Sequence, residues 1–222
     1  MKERVREGRT VLRKAKDRDF VRTRENLIFC VVGYTHPPDR LLSYLKYVPS
    51  DSGIWAKDDL HFKRMIPYYS ANSVAETFPF LKKNSKKYLF HDPMNGIIFP
   101  AVSYPDIAEY YAPEEKLMEL AGRKEILDPL QSKAVDLSEY LADKASVPID
   151  KFGITGSILL GIHNVSVSDI DLTIYGYNNA LLVKQALRRE YKSSGGPLRQ
   201  LNKSQEGDWC TKKASQFSID YE

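Results

Sequence analysis

The sequence predicts an α+β protein in two parts: a hairpin-rich N-terminal region, then a C-terminal region where helices alternate with strands. Three observations carry this. Short β-rich runs broken by the turn signals "HPPD" and "PMNG" dominate the stretch from Leu27 to Tyr104. "DPLQSKAVDLSEYLADKAS" has the helical period. Beyond it, "KFGI" and "SDIDLTIYG" read as strands with helical stretches between and after them. The boundary is expected near residue 125, giving an N-terminal α+β region over 1–125, with a basic arm over 1–24, and a second domain over 126–222.

Taken in order, residues 1–24 read as a basic helix or arm. Val5, Val11, Leu12 and Ala15 make only a thin apolar stripe there. "LIFCVVGYT" runs into "HPPD" and "LLSYLKYVP" returns from it, so Leu27 to Val48 is expected to be an antiparallel pair. "SANSVAETFPFLKKN" opens as a helix with Ser70 or Asn72 as its N-cap. "KYLFHD" and "IIFPAVSY" form a second hairpin around Pro93–Gly96. "PDIAEYY" and "PEEKLMELAG" each begin with Pro and early acidic residues, as short helices do, and the second stops at Gly122. In the longer helix that follows, Asp128 is the cap and Pro129 the first residue, and Leu130, Ala134, Leu137 and Leu141 share a face. "ALLVKQALRREY" is a helix, "SQEGDW" a turn and "QFSIDYE" a strand. Ending inside a strand pattern is what a piece of a longer parent chain would do.

The 222 residues carry a net charge of +4, distributed unevenly. Residues 1–24 hold ten Lys/Arg against four Asp/Glu, residues 184–213 eight against three, and the segment between is acidic. Basic flanks suit a polyanionic partner, expected here as nucleic acid, RNA before DNA. No apolar run approaches the roughly 20 residues that span a bilayer. The N-terminus is charged from Lys2 and shows no apolar core of a secretory signal, so the expectation is a cytoplasmic protein without membrane partners. Cys30 and Cys210 have no metal-ligand spacing and fit free thiols in a reducing compartment, and the four scattered histidines argue against zinc. Fourteen tyrosines with Trp55 and Trp209 are read first as packing residues and second as platforms for bases.

The chemistry concentrates in "FGITGSILLGIHNVSVSDIDLTIYG". "TGS" is a strand-to-helix turn where Gly156 lets the backbone bend or approach something closely. Ser157 then opens a helix, whose end favours an anion. "SDIDLTIYG" has period two, so Asp169, Asp171 and Thr173 face one way and Ile170, Leu172 and Ile174 the other. Two carboxylates about 6–7 Å apart on one strand face repel each other unless a divalent cation lies between them, and Asp oxygens suit Mg²⁺. A phosphate cradle beside a metal pair points to phosphoryl or nucleotidyl transfer.

Gly-Ser, eleven residues, then Asp-Ile-Asp-Leu, on a strand–turn–helix–strand, resembles the signature of the DNA polymerase β-like nucleotidyltransferases over about residues 129–222. The N-terminal half, with "FCVVGYTHPPDRLLSYLKYVP", resembles an archaeal predicted-nucleotidyltransferase group. The resemblance implies a polymerase β-like domain with a small mixed sheet and an enzyme that moves an NMP from an NTP to an acceptor, releasing pyrophosphate, with Mg²⁺ or Mn²⁺. It implies Gly156 and Ser157 as the triphosphate pair and Asp169 and Asp171 as metal ligands, with a third carboxylate from a later strand. "QFSIDYE" alternates so that Asp220 sits between Ile219 and Tyr221, which makes it the expected third ligand. The alternative is a catalytically idle module of this fold that binds RNA or DNA, or serves as a regulatory, antitoxin-like partner.

Overall fold

The computed structural model describes residues 4–6, 9–11, 13–93, 95–193 and 195–217, the first two segments as backbone. Short strands β1 (Arg4–Arg6) and β2 (Arg9–Val11) pair with each other. The main sheet then begins with β3 (Phe20–Thr23), β4 (Ile28–Val31), β5 (Arg40–Pro49), β6 (Trp55–Lys57) and β7 (Leu60–Arg64). Helices α1 (Ala71–Glu76) and α2 (Phe78–Asn84) follow, then β8 (Leu89–Asp92), β9 (Ile97–Ser103) and β10 (Ile107–Tyr111). All pairings are antiparallel, in the order β10-β3-β4-β5-β7-β6, with β9 on the first half of β5 and β8 on β9. Long β5 is shared between β9 at its start and β7 at its end, which curls the sheet.

The second part comprises α3 (Pro113–Ala121), α4 (Pro129–Ala145), β11 (Phe152–Thr155), α5 (Gly156–Leu160), β12 (Asp171–Ile174), α6 (Tyr177–Glu190) and α7 (Lys203–Phe217). The chain is therefore α+β, and no described helix is long and apolar enough to cross a membrane.

Three apolar clusters organise these elements. Val21, Phe29, Leu45, Val102, Leu81 and Tyr88 close one face of the main sheet against α2 and its neighbours. Leu117, Ala134, Leu141, Phe152, Ile154 and Val183 join α3, α4, β11 and α6. The third cluster is the seam: Phe20, Cys30, Tyr44, Tyr47 and Phe62 from the other sheet face meet Leu159, Leu160 and Ile162 of α5 and its exit. Each such buried side chain contributes roughly 1.5–3 kcal/mol of apolar burial, so α5 is fastened to the N-terminal sheet.

The two hairpins, the caps of α1 and α4 and the stop of α3 at Gly122 stand as the sequence predicts. Ser70 accepts the Ser73 N–H at 3.1 Å, and Asp128 and Gln131 cap each other's backbone reciprocally. Elsewhere the structure corrects the sequence reading. Residues 13–24 are not a basic arm: Ala15 is buried and β3 lies between β10 and β4. Asp19, wholly buried, accepts from Arg13, from the Lys16 N–H at 2.7 Å and from the Tyr110 hydroxyl, so this segment is core. "PDIAEYY" forms a single tight helical turn and then β10, because its aromatic and β-branched residues find β3 as a partner. "SQEGDW" and the start of "QFSIDYE" belong to one helix, α7. Its signal was present: the Asn202 side chain accepts the Gln205 N–H at 2.9 Å while the Gln205 side chain accepts the Asn202 N–H at 3.0 Å, a reciprocal cap that outweighs Gly207. The small sheet, among the described residues, is the antiparallel pair β11–β12 and not a mixed one.

Candidate functional site

β11 and β12 pair in register from Phe152–Ile174 to Thr155–Asp171, which carries Asp171 to the exact end of β11 where the chain turns into α5. Gly156 makes that turn at φ +70°. A Cβ at Gly156 would collide with the Asp171 carboxylate, whose Cγ lies 3.4 Å from that position. The two halves of the motif, separated in sequence, are thus in direct contact, and glycine is required twice over: for the left-handed backbone and for the space. Ser157 is 5% exposed and donates to the Ser168 hydroxyl at 3.2 Å. Ser168 in turn accepts the Asn164 N–H at 3.0 Å, which folds the loop before Asp169 back onto α5. With five residues, α5 has only a short stack of aligned peptides and so a weak dipole, and the Ser157 hydroxyl would have to exchange its bond to Ser168 to meet a ligand.

Asp169 and Asp171 are both exposed, the first just before β12 and the second as that strand's first residue. Partial withdrawal from water, then the like charge of Asp169, pushes the Asp171 carboxyl above the usual carboxylate range, while Lys46, Arg18 and Arg64 pull the other way. The pair therefore lies close enough to repel. It fits a hard divalent cation, which typically takes one or two carboxylates and completes its shell with water and phosphate oxygens. No cluster of three His, Cys, Asp or Glu suited to a metal occurs among the described residues. Asp220, the expected third ligand, lies outside the described residues. His163 is not at the pair: its Nε2 meets Asp128 Oδ2 at 2.7 Å and anchors the exit of α5 to the cap of α4.

Sequence reasoning missed the opposite wall, which the N-terminal sheet supplies. Arg18 in the turn before β3, Lys46 in β5 and Arg64 in β7, all far from the motif in sequence, act electrostatically on Asp171. The Arg18 guanidinium lies 5.1 Å from the centre of the Tyr69 ring, which stacks on Tyr44 at 4.8 Å. The Arg64 guanidinium lies 4.9 Å from the Trp55 ring centre. One signal was available: Lys46 is a lone charge in the apolar strand "LLSYLKYVP". A separate broad cleft of about 760 Å³ lies beyond the far end of α5, lined by Lys57, Glu109, Tyr111, Glu115, Lys116 and Gly161. It touches neither Asp169 nor Asp171 and mixes acids with bases, so it offers no concentrated charge of one sign.

No family model matches the chain, and no solved structure matches it. It is similar to an uncharacterized protein of Methanocaldococcus jannaschii, with 30% identity over 183 residues, 82% of this chain and 53% of that protein. The chain spans about half the length of that relative.

Proposed function

We propose that the protein is a metal-dependent nucleotidyltransferase that moves an NMP from an NTP to an acceptor hydroxyl and releases pyrophosphate. The observation that carries this reading is the contact of the Asp171 carboxylate with the Gly156 backbone, in a carboxylate pair with Asp169 and within electrostatic reach of three cationic side chains. In this reading Gly156 and Ser157 hold the triphosphate, and Asp169 and Asp171, with Asp220 as the third carboxylate, hold Mg²⁺ or Mn²⁺. The metal would supply charge neutralisation at the phosphates and acidify the acceptor hydroxyl. The acceptor oxygen forms a bond to the α-phosphorus as the bond to the bridging oxygen of the β-phosphate breaks, and the hydroxyl proton leaves to solvent. Lys46, Arg18 and Arg64 offset the negative charge that collects between the walls.

The test is incubation of the protein with each α-labelled NTP and Mg²⁺ or Mn²⁺, with RNAs and the protein itself as acceptors. Label transfer that Asp171→Asn abolishes supports the reading, and no transfer under any of these conditions overturns it. A second reading, an idle module that binds RNA or a regulatory partner, draws on exposed Lys184, Arg188 and Arg189 of α6 and Lys203 and Lys212 of α7. Tight RNA binding without label transfer favours it.

A further inference from the structure

A β-bulge distinguishes β5 from its neighbours. Ile28 faces Tyr47 and Phe29 faces Leu45, so Lys46 is the extra residue. Bulges of this kind re-aim a side chain and recur beside functional sites. Here the bulge sends Lys46 to the seam side of the sheet, where its ammonium lies 5.1 Å from the Phe20 ring centre and 5.8 Å from that of Tyr47. Among the described residues the Lys46 ammonium makes no hydrogen bond and no ion pair, although the residue is half-buried. Burial, with the like charges of Arg64 and Arg18, depresses its pKa, and Cys30 and Asp171 work against that. A half-buried ammonium without a hydrogen-bonded counter-ion is costly, and an incoming anion would remove the cost.

Two further cations, Arg18 and Arg64, act on Lys46. Arg18 is a non-glycine residue in the left-handed region, φ 69°. Such strained positions cost about 1–3 kcal/mol and persist where surrounding contacts hold them, commonly at ligand sites. Here the Arg18 carbonyl accepts the Thr155 hydroxyl at 2.9 Å, one residue before Gly156. That bond ties the strained turn to the candidate site. The Arg18 guanidinium donates to the Tyr44 hydroxyl at 3.3 Å and keeps Asp17 at 3.5 Å. Arg64, exposed, lies over the Trp55 and Tyr47 rings, donates to the Tyr47 hydroxyl at 3.4 Å, and has no carboxylate partner among the described residues.

We propose that Arg18, Lys46 and Arg64 form a phosphate-binding subsite, contributed by the N-terminal sheet, that holds a substrate phosphate opposite Asp169 and Asp171. The shared chemistry is a phosphate dianion or polyphosphate gripped by two guanidinium forks and one ammonium. Its source is either the polyphosphate tail of the nucleotide or the terminal phosphate of an oligonucleotide acceptor. The subsite deepens the transferase reading, which it uses only for the identity of the opposite wall.

The experiment is calorimetric titration of the full chain, without metal, against inorganic tripolyphosphate and against a short 5′-phosphorylated oligoribonucleotide. Lys46→Met keeps the unbranched stem, Arg64→Met changes an exposed position, and Lys83→Met at an exposed position of α2 is a control. Thermal melting verifies that each variant folds. Loss of a charge-assisted contact is expected to weaken one of the two ligands by roughly tenfold or more in both wall variants, with the control unchanged. Weakening of tripolyphosphate assigns the subsite to the nucleotide tail, and weakening of the oligonucleotide alone assigns it to the acceptor. If neither ligand binds the parent chain, or if both folded wall variants bind both ligands as the parent does, the subsite is overturned. Asp171→Asn, in the same titration, is expected to bind as well as the parent or better. The titration needs neither metal nor turnover, so its failure leaves the transferase reading standing, and absence of turnover leaves the subsite standing.

Discussion

At Gly156 the chain takes φ +70°, and the space a side chain would need is held by the Asp171 carboxylate. Gly156→Ala therefore combines a left-handed penalty of about 1–2 kcal/mol with displacement of the Asp171 carboxylate, the proposed metal ligand. The expected outcome is a lower melting temperature and a loss of roughly tenfold or more in Mn²⁺–NTP affinity by calorimetry. An unchanged affinity would place the phosphate cradle elsewhere. Asp171→Asn separates the two effects. It removes a charge that Asp169 repels, so the melting temperature should hold or rise, while added Mn²⁺, expected to stabilise the parent chain, should no longer do so. A variant that still gains stability from Mn²⁺ would exclude Asp171 as a ligand. This much of the site was legible in the sequence, because Gly-Ser and Asp-Ile-Asp are local patterns whose chemistry depends on spacing along one chain segment. The wall of Arg18, Lys46 and Arg64 was not, because three scattered cations look like solvated surface until a curled sheet brings them together.

Among the elements, those with complete local signals were readable: α4 with its Asp128–Gln131 box and Pro129, α1 with Ser70, and both hairpins with their turns. Those decided by partners were not. β3 carries so few large apolar residues that it resembles the rest of a basic arm, yet β4 and β10 pair with it on either side. Removing residues 1–24 is accordingly expected to abolish cooperative unfolding, because β4 and β10 lose their shared strand and Tyr110 loses the buried Asp19. Circular-dichroism melting checks this, and a truncated chain that melts as the parent does would return the segment to the status of an arm. α7 has its own test. Asn202→Ala deletes half of a reciprocal cap, which costs a helix about 1 kcal/mol. Amide exchange in the first turn of α7 should quicken by roughly fivefold, the factor that such a cost implies, with β11 unaffected.

On the scale of the whole molecule, the wall and the carboxylate pair belong to different parts of the chain, so the site exists only while the two parts hold together. Apolar burial of Leu159, Leu160 and Ile162 is one bond between them. The other is ionic. Glu114, at the start of α3, receives Arg13 at 3.0 Å and Lys16 at 3.1 Å from the segment before β3, and the Tyr175 hydroxyl at 2.8 Å from the residue after β12. Burial alone would raise its pKa. Its own backbone N–H, Arg13, Tyr175 and Lys16 outweigh burial and hold it below the ordinary glutamate value of 4.5. The folded form thus binds this proton less tightly than the unfolded form does. Its contribution to stability is complete above pH 4.5 and is lost as pH falls toward and through the folded value. Denaturant midpoints measured from pH 7 to pH 3 are expected to fall on the acid side. Glu114→Gln should lower the midpoint at pH 7 and flatten that acid limb relative to the parent, since its neutral amide has no proton to gain. The same variant should weaken tripolyphosphate binding only near its unfolding transition, because it loosens the seam without touching Arg18, Lys46 or Arg64. A Glu114→Gln chain with the parent's acid slope would mean that other carboxylates, such as Glu25, drawn down to about 2 beside Lys87 and Tyr88 despite some burial, set the acid limit and that the seam does not depend on this charge.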